Sequence, residues 1–232
     1  MTPERVTGEL EPSERFRPWH RIVVITAVSL TLLLVGAIFG MIVRLPDTPA
    51  APPETGSVDV GFAQDMTVHH QQAVQMAGWE RDHSNDPVVI QLAADIEATQ
   101  TGQIGRMQGW LELWGAASLP TGGHMAWMAG APGGHGHDGS TPATAVPTMP
   151  GMATSQELRD LRAATGPDLD IKFLQLMLRH HQGGAAMLSY AAERATVPQV
   201  RNLAAQMQSS QASETEYLTQ LLTERGGKPL PL

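Results

Sequence analysis

Phe62-Ala63-Gln64-Asp65-Met66-Thr67-Val68-His69-His70-Gln71-Gln72-Ala73-Val74-Gln75-Met76 is answered later in the chain by Phe173-Leu174-Gln175-Leu176-Met177-Leu178-Arg179-His180-His181-Gln182-Gly183-Gly184-Ala185-Ala186-Met187. Phe, Gln, Met, both His, the next Gln and the last Met recur at a single offset of 111 residues. The offset holds beyond the motif. It carries Asp59 onto Asp170, Pro87 onto Pro198, Leu92-Ala93-Ala94 onto Leu203-Ala204-Ala205, Gln100 onto Gln211 and Gly115 onto Gly226. Between 59–115 and 170–226, 16 of 57 positions are identical without a gap, so the unit is duplicated. A repeat this long matches no short-period solenoid.

At 100° per residue, Phe62, Met66, His69, His70, Ala73, Met76 and Ala77 fall within an arc of about 120°, the width of a core-facing helical stripe. The pattern predicts a helix over 58–82. Asn85-Asp86-Pro87 breaks it, with Pro87 suited to the first turn of the next helix. Residues 88–114 then place Leu92, Ile96, Thr99, Gln103, Met107, Trp110 and Trp114 on one face. A short turn between two long helices implies an antiparallel hairpin. The second copy gives helices over 168–194 and 198–225, stopped by Gly226-Gly227. Hairpin one (58–115) and hairpin two (167–226) are joined by a long crossover, 116–166. Up to residue 153 this crossover is rich in Gly, Pro, Ala and Thr and is expected to hold no fixed fold. Thr154-Ser155-Gln156-Glu157 then has the form of a capping box opening a short helix. The fold expected is all-α: a four-helix bundle of ferritin-like connectivity over 58–226.

Upstream, residues 1–21 are polar and mixed in charge and read as a loosely structured tail. Ile22 to Val43 follows, 22 residues without one charge. As a helix it would run roughly 33 Å, enough for the hydrocarbon core of a bilayer. A cleaved signal peptide is the alternative, but its apolar region would be shorter, and no clear Ala-x-Ala site follows Val43. Arg15, Arg17 and Arg21 precede the span and only Arg44 follows closely, which places the N-terminus in the cytoplasm and the rest outside. Residues 44–57 form a Pro-rich spacer. With no Cys, thiolate metal sites, disulfides and cysteine nucleophiles are excluded. A net charge of -8 argues against a nucleic-acid partner.

The chemistry lies in the repeated polar residues. Imidazole is costly to bury unless it is hydrogen-bonded or bound to something. The pseudo-twofold relation of the copies brings His69, His70, His180 and His181 towards one another, with Met66, Met76, Met177 and Met187 a turn above or below. Ala73 and its mate Gly184 leave room at mid-face. Core filling accounts for a lone buried His or a Met stripe, but two His pairs in register, each flanked by two Met, favour a metal site. Thioether and imidazole without thiolate suit copper, Cu(I) above all, with iron and zinc as imidazole-only alternatives. Glu214, repeat mate of Gln103, is a candidate ligand or the carboxylate that orients a His, and Asp65 is placed to do the same in the first copy. His124, Met125, Met128, His135, His137, Met149 and Met152 in the crossover are candidates for weak ion capture. A di-iron oxidase needs a Glu-x-x-His on each of two helices. Glu80-Arg81-Asp82-His83 is the one such string, and its mate is Ala191-Ala192-Glu193-Arg194.

Phe173, Met177, His180-His181-Gln182-Gly183-Gly184 and Met187, their looser copy from Phe62 to Met76, and Met149-Pro150-Gly151-Met152 together resemble the bacterial domain-of-unknown-function family numbered three hundred and five. The resemblance spans roughly 58–226. It implies a ferritin-like helical bundle, usually exported, with copper binding and copper tolerance in some members. Gln103 stands where that family tends to have Glu. The reading that results is a membrane-anchored, extracytoplasmic protein that sequesters or hands on copper, with no nucleic-acid partner and no catalytic residues assigned. The alternatives are a metal-dependent oxidase of this fold and a bundle in which the His pairs serve only packing or interaction.

Overall fold

The computed structural model describes residues 18–43, 51–129 and 145–232. The described residues are helical apart from one 3-10 turn, one isolated bridge and connecting segments. The chain forms two compact units, Met1–Ala51 and Pro52–Leu232. In the first, α1 (Pro18–Val43) carries an apolar stretch, Trp19–Met41, of mean hydropathy 2.7 with none of it buried. The helix is apolar all round, so it has no polar face to give to water. The hydroxyls of Thr26 and Thr31 return to the carbonyls of Ile22 and Ala27, each at 2.9 Å, which satisfies them within the helix. Its length and composition suit a membrane span or a signal segment.

The second unit holds α2 (Val58–His83), α3 (Pro87–Leu113), α4 (Ser155–Ala163), α5 (Pro167–Arg194) and α6 (Pro198–Glu224). Local chemistry sets the helix ends. Asp86 accepts from Val88 N at 2.9 Å with Pro87 in the first turn of α3. Thr154 and Glu157 close a capping box on α4. The N-cap of α6, Val197, has no side chain able to cap. Asp59 of α2 does it instead, accepting from Thr196 N (3.0 Å), Thr196 Oγ1 (2.8 Å) and Val197 N (2.8 Å). Its repeat mate Asp170 reaches the other hairpin turn, accepting from Ser84 Oγ at 2.6 Å, and that hydroxyl accepts from Asp86 N. Each hairpin therefore pins the turn of the other.

The hairpins α2/α3 and α5/α6 meet along α2 and α5. Two apolar clusters form the interior. One contains Ala73, Met76, Leu92, Ile96, Phe173, Met177 and Leu218, and the other Phe62, Met66, Met107, Leu111, Met187, Leu203 and Met207. On all four long helices the two clusters take opposite ends. α3 and α5 therefore run against α2, and α6 runs with it. The stripe from Phe62 to Ala77 is buried throughout, as the 3.6-residue period requires.

The crossover departs from the expectation of no fixed fold. Residues 116–129 and 145–153 pack on the bundle, and His124 and Val146 exchange backbone hydrogen bonds of 2.8 and 2.9 Å. Gln64 donates to the carbonyls of Ala117 (2.7 Å) and Leu119 (3.3 Å), and a buried carboxylate holds residues 124–127. Asp65 on α2 accepts from His124 Nδ1 (2.6 Å), Met125 N (2.6 Å) and Trp127 Nε1 (2.7 Å). Trp127 then lies edge-on to Phe62 and covers Gly61, where a Cβ would collide with the indole. Asp65 is thus committed to the crossover rather than to His69. Low-complexity composition hides this, because the residues that order the segment lie on a distant helix. His135 and His137 fall outside the described residues.

Candidate functional site

Between the two apolar clusters each long helix contributes two polar residues: His69 and His70 from α2, Gln100 and Gln103 from α3, His180 and His181 from α5, Gln211 and Glu214 from α6. The four His and both Gln100 and Gln211 are buried, at no more than 5% exposure. A polar layer in mid-bundle is costly unless its groups are paired.

The pairing is one-sided. His70 Nε2 lies 2.8 Å from Gln103 Oε1, His180 Nε2 3.0 Å from the His69 carbonyl, and His181 Nε2 2.7 Å from Glu214 Oε2. Each Nε2 faces an acceptor and so carries the proton that it donates. The second nitrogen of each ring, Nδ1, is buried without a partner among the described residues, and His69 has none among them at either nitrogen. Burial pulls His69 down to about 3, helped by the charge of His70, and the nearby Pro150 carbonyl offsets part of this without reaching hydrogen-bond geometry. Burial likewise takes His70 to about 4, against the hydrogen bond it donates to Gln103, and holds His180 well below its ordinary value, with His69 the next cause. These three rings are neutral at pH 7. For His70 and His180, Nδ1 is then a bare lone pair in an apolar interior, the form in which imidazole binds a metal.

The rings do not converge as a group of four. His69 and His180 pack against each other, centroids 3.7 Å apart and planes 32° from parallel, while His70 and His181 turn aside to α3 and α6, 6.4 and 6.3 Å from their neighbours. No three His, Asp or Glu side chains among the described residues meet at metal-ligand spacing. The four imidazoles thus lie in one layer as a packed pair, His69 and His180, and two outlying rings, His70 and His181. The physical reason is helical: adjacent residues diverge by about 100° around the axis, so one ring of each pair faces the opposite first helix and the other faces its own hairpin mate. Met66 and Met187 lie in the cluster on one side of the layer, Met76 and Met177 in the other, all fully buried.

Nothing in the sequence pattern assigns a role to Gln100 and Gln211. Among the described residues Gln100 leaves both amide atoms unpaired and Gln211 its oxygen, which lies 3.7 Å from where a Cβ on Gly184 would stand. Their recurrence at the repeat offset was the available signal. Nor does the pattern assign the Met149–Met152 segment a structural part. Gly151, at φ +79°, sits against the Arg179 carbonyl and the Cα atoms of His180 and Gly183. A Cβ on Gly183 would overlap the Pro150 carbonyl, and one on Gly184 would stand 3.0 Å from His69 Cε1. The small residues of the second copy thus admit a strap on one side and a ring on the other. Gln72 fastens the strap, donating to the Ala153 carbonyl (2.9 Å) and accepting from its N–H (2.6 Å).

With this geometry in view, comparison with known proteins gives a consistent answer. The model of the family described as "Domain of unknown function (DUF305)" matches residues 59–222. The chain belongs to this family. A solved structure described as a putative secreted DUF305 protein from Streptomyces coelicolor is 41% identical, with a TM-score of 0.68, covering 77% of this chain and 100% of its own. A DUF305 fragment from Deinococcus radiodurans is 29% identical, with a TM-score of 0.58 and coverage of 75% and 99%. CopM in its Cu(II)-bound form is 26% identical, with a TM-score of 0.52 and coverage of 72% and 96%. No curated protein matches the chain. The DUF305 domain here therefore occupies nearly the whole second unit, with the polar layer at its centre.

Proposed function

We propose that this DUF305 protein binds and hands on copper, as Cu(I), through the polar layer. The observation that carries the reading is the set of five buried ring nitrogens without a partner: both of His69, and Nδ1 of His70, His180 and His181. A bundle using its histidines only for packing would satisfy them, since an unpaired buried polar atom costs about 1–3 kcal/mol. A Lewis acid satisfies a lone pair, and each Nε2–H bond already orients its ring for one. Cu(I) fits because the available donors are imidazole and thioether, soft ligands with no thiolate and one carboxylate, Glu214, within the layer. Met66, Met76, Met177 and Met187 supply the remaining donors. The Cu(II)-bound form of CopM, which shares the fold, supports the choice of metal.

The same reading places α1 in a membrane as a single span, with the N-terminus cytoplasmic and the metal-binding unit on the extracytoplasmic side, supported by its apolar length and the basic residues before it. The proposal is tested by anaerobic Cu(I) competition titration. The full chain in detergent is compared with His69/His70/His180/His181→Ala and with a chain lacking 130–144. Loss of binding in the first and retention in the second is expected. The reverse result would move the site to the crossover and overturn the assignment.

A further inference from the structure

The two broad faces of the polar layer are unlike. Over the α2–α5 seam it is sealed. Pro150 and Gly151 fill the space above Gly183, Gln72 holds Ala153 by two hydrogen bonds, and Arg179 binds Glu157 through both guanidinium nitrogens at 2.8 Å, drawing α4 over the seam. On the opposite face α3 and α6 leave a groove of about 580 Å³ between them. Its walls include Val88, Gln91, Asp95 and Thr99 of α3 with Glu214 and Tyr217 of α6, and among the described residues no basic one lines it. The groove begins at Pro87, at the start of α3, and its inner end is formed by Thr99 and Glu214, the residues bordering the layer. Glu214 belongs to both places. Its side chain is 26% exposed towards the groove, while one of its oxygens accepts from the buried Nε2 of His181.

We propose that the α3–α6 groove is the entrance by which a soft monovalent cation reaches the polar layer, with Asp95 drawing the ion in and Glu214 passing it to the histidines. The inference rests on the reading of that layer as an ion site and adds the direction from which it is filled. Two carboxylates without a cation concentrate positive ions in a cleft bounded by apolar walls. Gln91 holds Asp95 Oδ1 by a hydrogen bond of 2.8 Å, which fixes the carboxylate at the groove wall. A side chain at Glu214 that is partly wet and partly bonded to a buried ring spans the step from water to interior. The strap face offers no such residue.

The test is the rate at which the full chain in detergent takes Cu(I) from a chromogenic chelate under anaerobic stopped flow. Thr99→Trp fills the inner end of the groove, Asp95→Asn removes charge at its wall, and Gln72→Ala loosens the strap without touching the groove. The expected result is loading at least about tenfold slower in Thr99→Trp, slower in Asp95→Asn at low salt with the difference lost at high salt, and unchanged in Gln72→Ala. Equilibrium affinity stays the same in Thr99→Trp because loading and release slow together. Loading at the wild-type rate in both groove variants, or faster loading in Gln72→Ala, overturns the entrance while leaving the metal site standing. A wild-type chain that takes up no Cu(I) overturns the proposed function, and the entrance with it.

Discussion

His70 and His181 stand at matching positions, yet one donates to an amide and the other to a carboxylate. A carboxylate behind an imidazole raises its basicity as a ligand, and losing such a partner typically costs 10–100-fold in metal affinity. Glu214→Gln is therefore expected to weaken Cu(I) binding by about 10–100-fold in competition titration, and Gln103→Glu to strengthen it. The glycines make a sharper structural prediction. In an ordinary helix Gly→Ala stabilises by up to about 1 kcal/mol. At Gly183 the new methyl meets the Pro150 carbonyl, so Gly183→Ala is expected to destabilise by about 1–3 kcal/mol in urea unfolding. A gain in stability would show that the strap is not seated there. At this scale the histidines and their flanking methionines were legible, because helical period and a fixed offset single them out. Gln100 and Gln211 were visible only as repeat mates. A neutral amide carries no charge pattern, and its burial comes from packing that the sequence does not display.

The elements divide in the same way. Four long helices and the capping box at Thr154 follow from period, Pro and Gly placement, and capping chemistry, and each was readable from the chain. The folded parts of the crossover were not: residues 124–127 depend on Asp65, a residue whose repeat mate is Leu176 and whose role the duplication cannot indicate. Asp65→Ala leaves the ring of His124, the backbone N–H of Met125 and the indole N–H of Trp127 without their acceptor. The expected cost is about 3 kcal/mol, at about 1 kcal/mol net for each of the three hydrogen bonds lost. The crossover should then become sensitive to limited proteolysis and Trp127 emission should shift to the red, while the helical content of the four long helices is retained. Unchanged proteolysis would mean that other contacts hold the segment.

Across the whole molecule, burial of titrating groups fixes the dependence of stability on pH. The depressed histidines stay neutral in the folded chain, while in the unfolded chain they take protons near 6.5. Their contribution is present above 6.5 and is lost as pH falls towards 4 and then 3, at up to about 1.4 kcal/mol per unit for each ring. Glu80 acts in the opposite sense. Burial, then the neighbouring Asp170, raises it to about 9, so the folded chain keeps a proton that the unfolded chain releases near 4.5. Its contribution is present below 4.5 and is lost as pH rises through 9. Stability should thus peak near neutrality, and Glu80→Gln should flatten the alkaline limb and steepen the acid limb between 4.5 and 6.5, where Glu80 opposes the histidines, as read by thermal melts across pH. Glu80 was legible only as part of an isolated Glu-x-x-His string. Its burial beside Asp170 arises from the approach of two hairpins, which local pattern does not encode.

The central claim is that the buried imidazoles present lone pairs at Nδ1 for an incoming soft ion. Imidazole 15N NMR of the full chain, before and after one equivalent of Cu(I), tests it directly. Nε2-protonated rings are expected for His70 and His180 in the metal-free protein, with a large Cu(I)-induced shift at core Nδ1 resonances and the Nε2 protons retained. Protonated Nδ1 in the metal-free protein, or core resonances that do not move while those of the crossover histidines do, would contradict it.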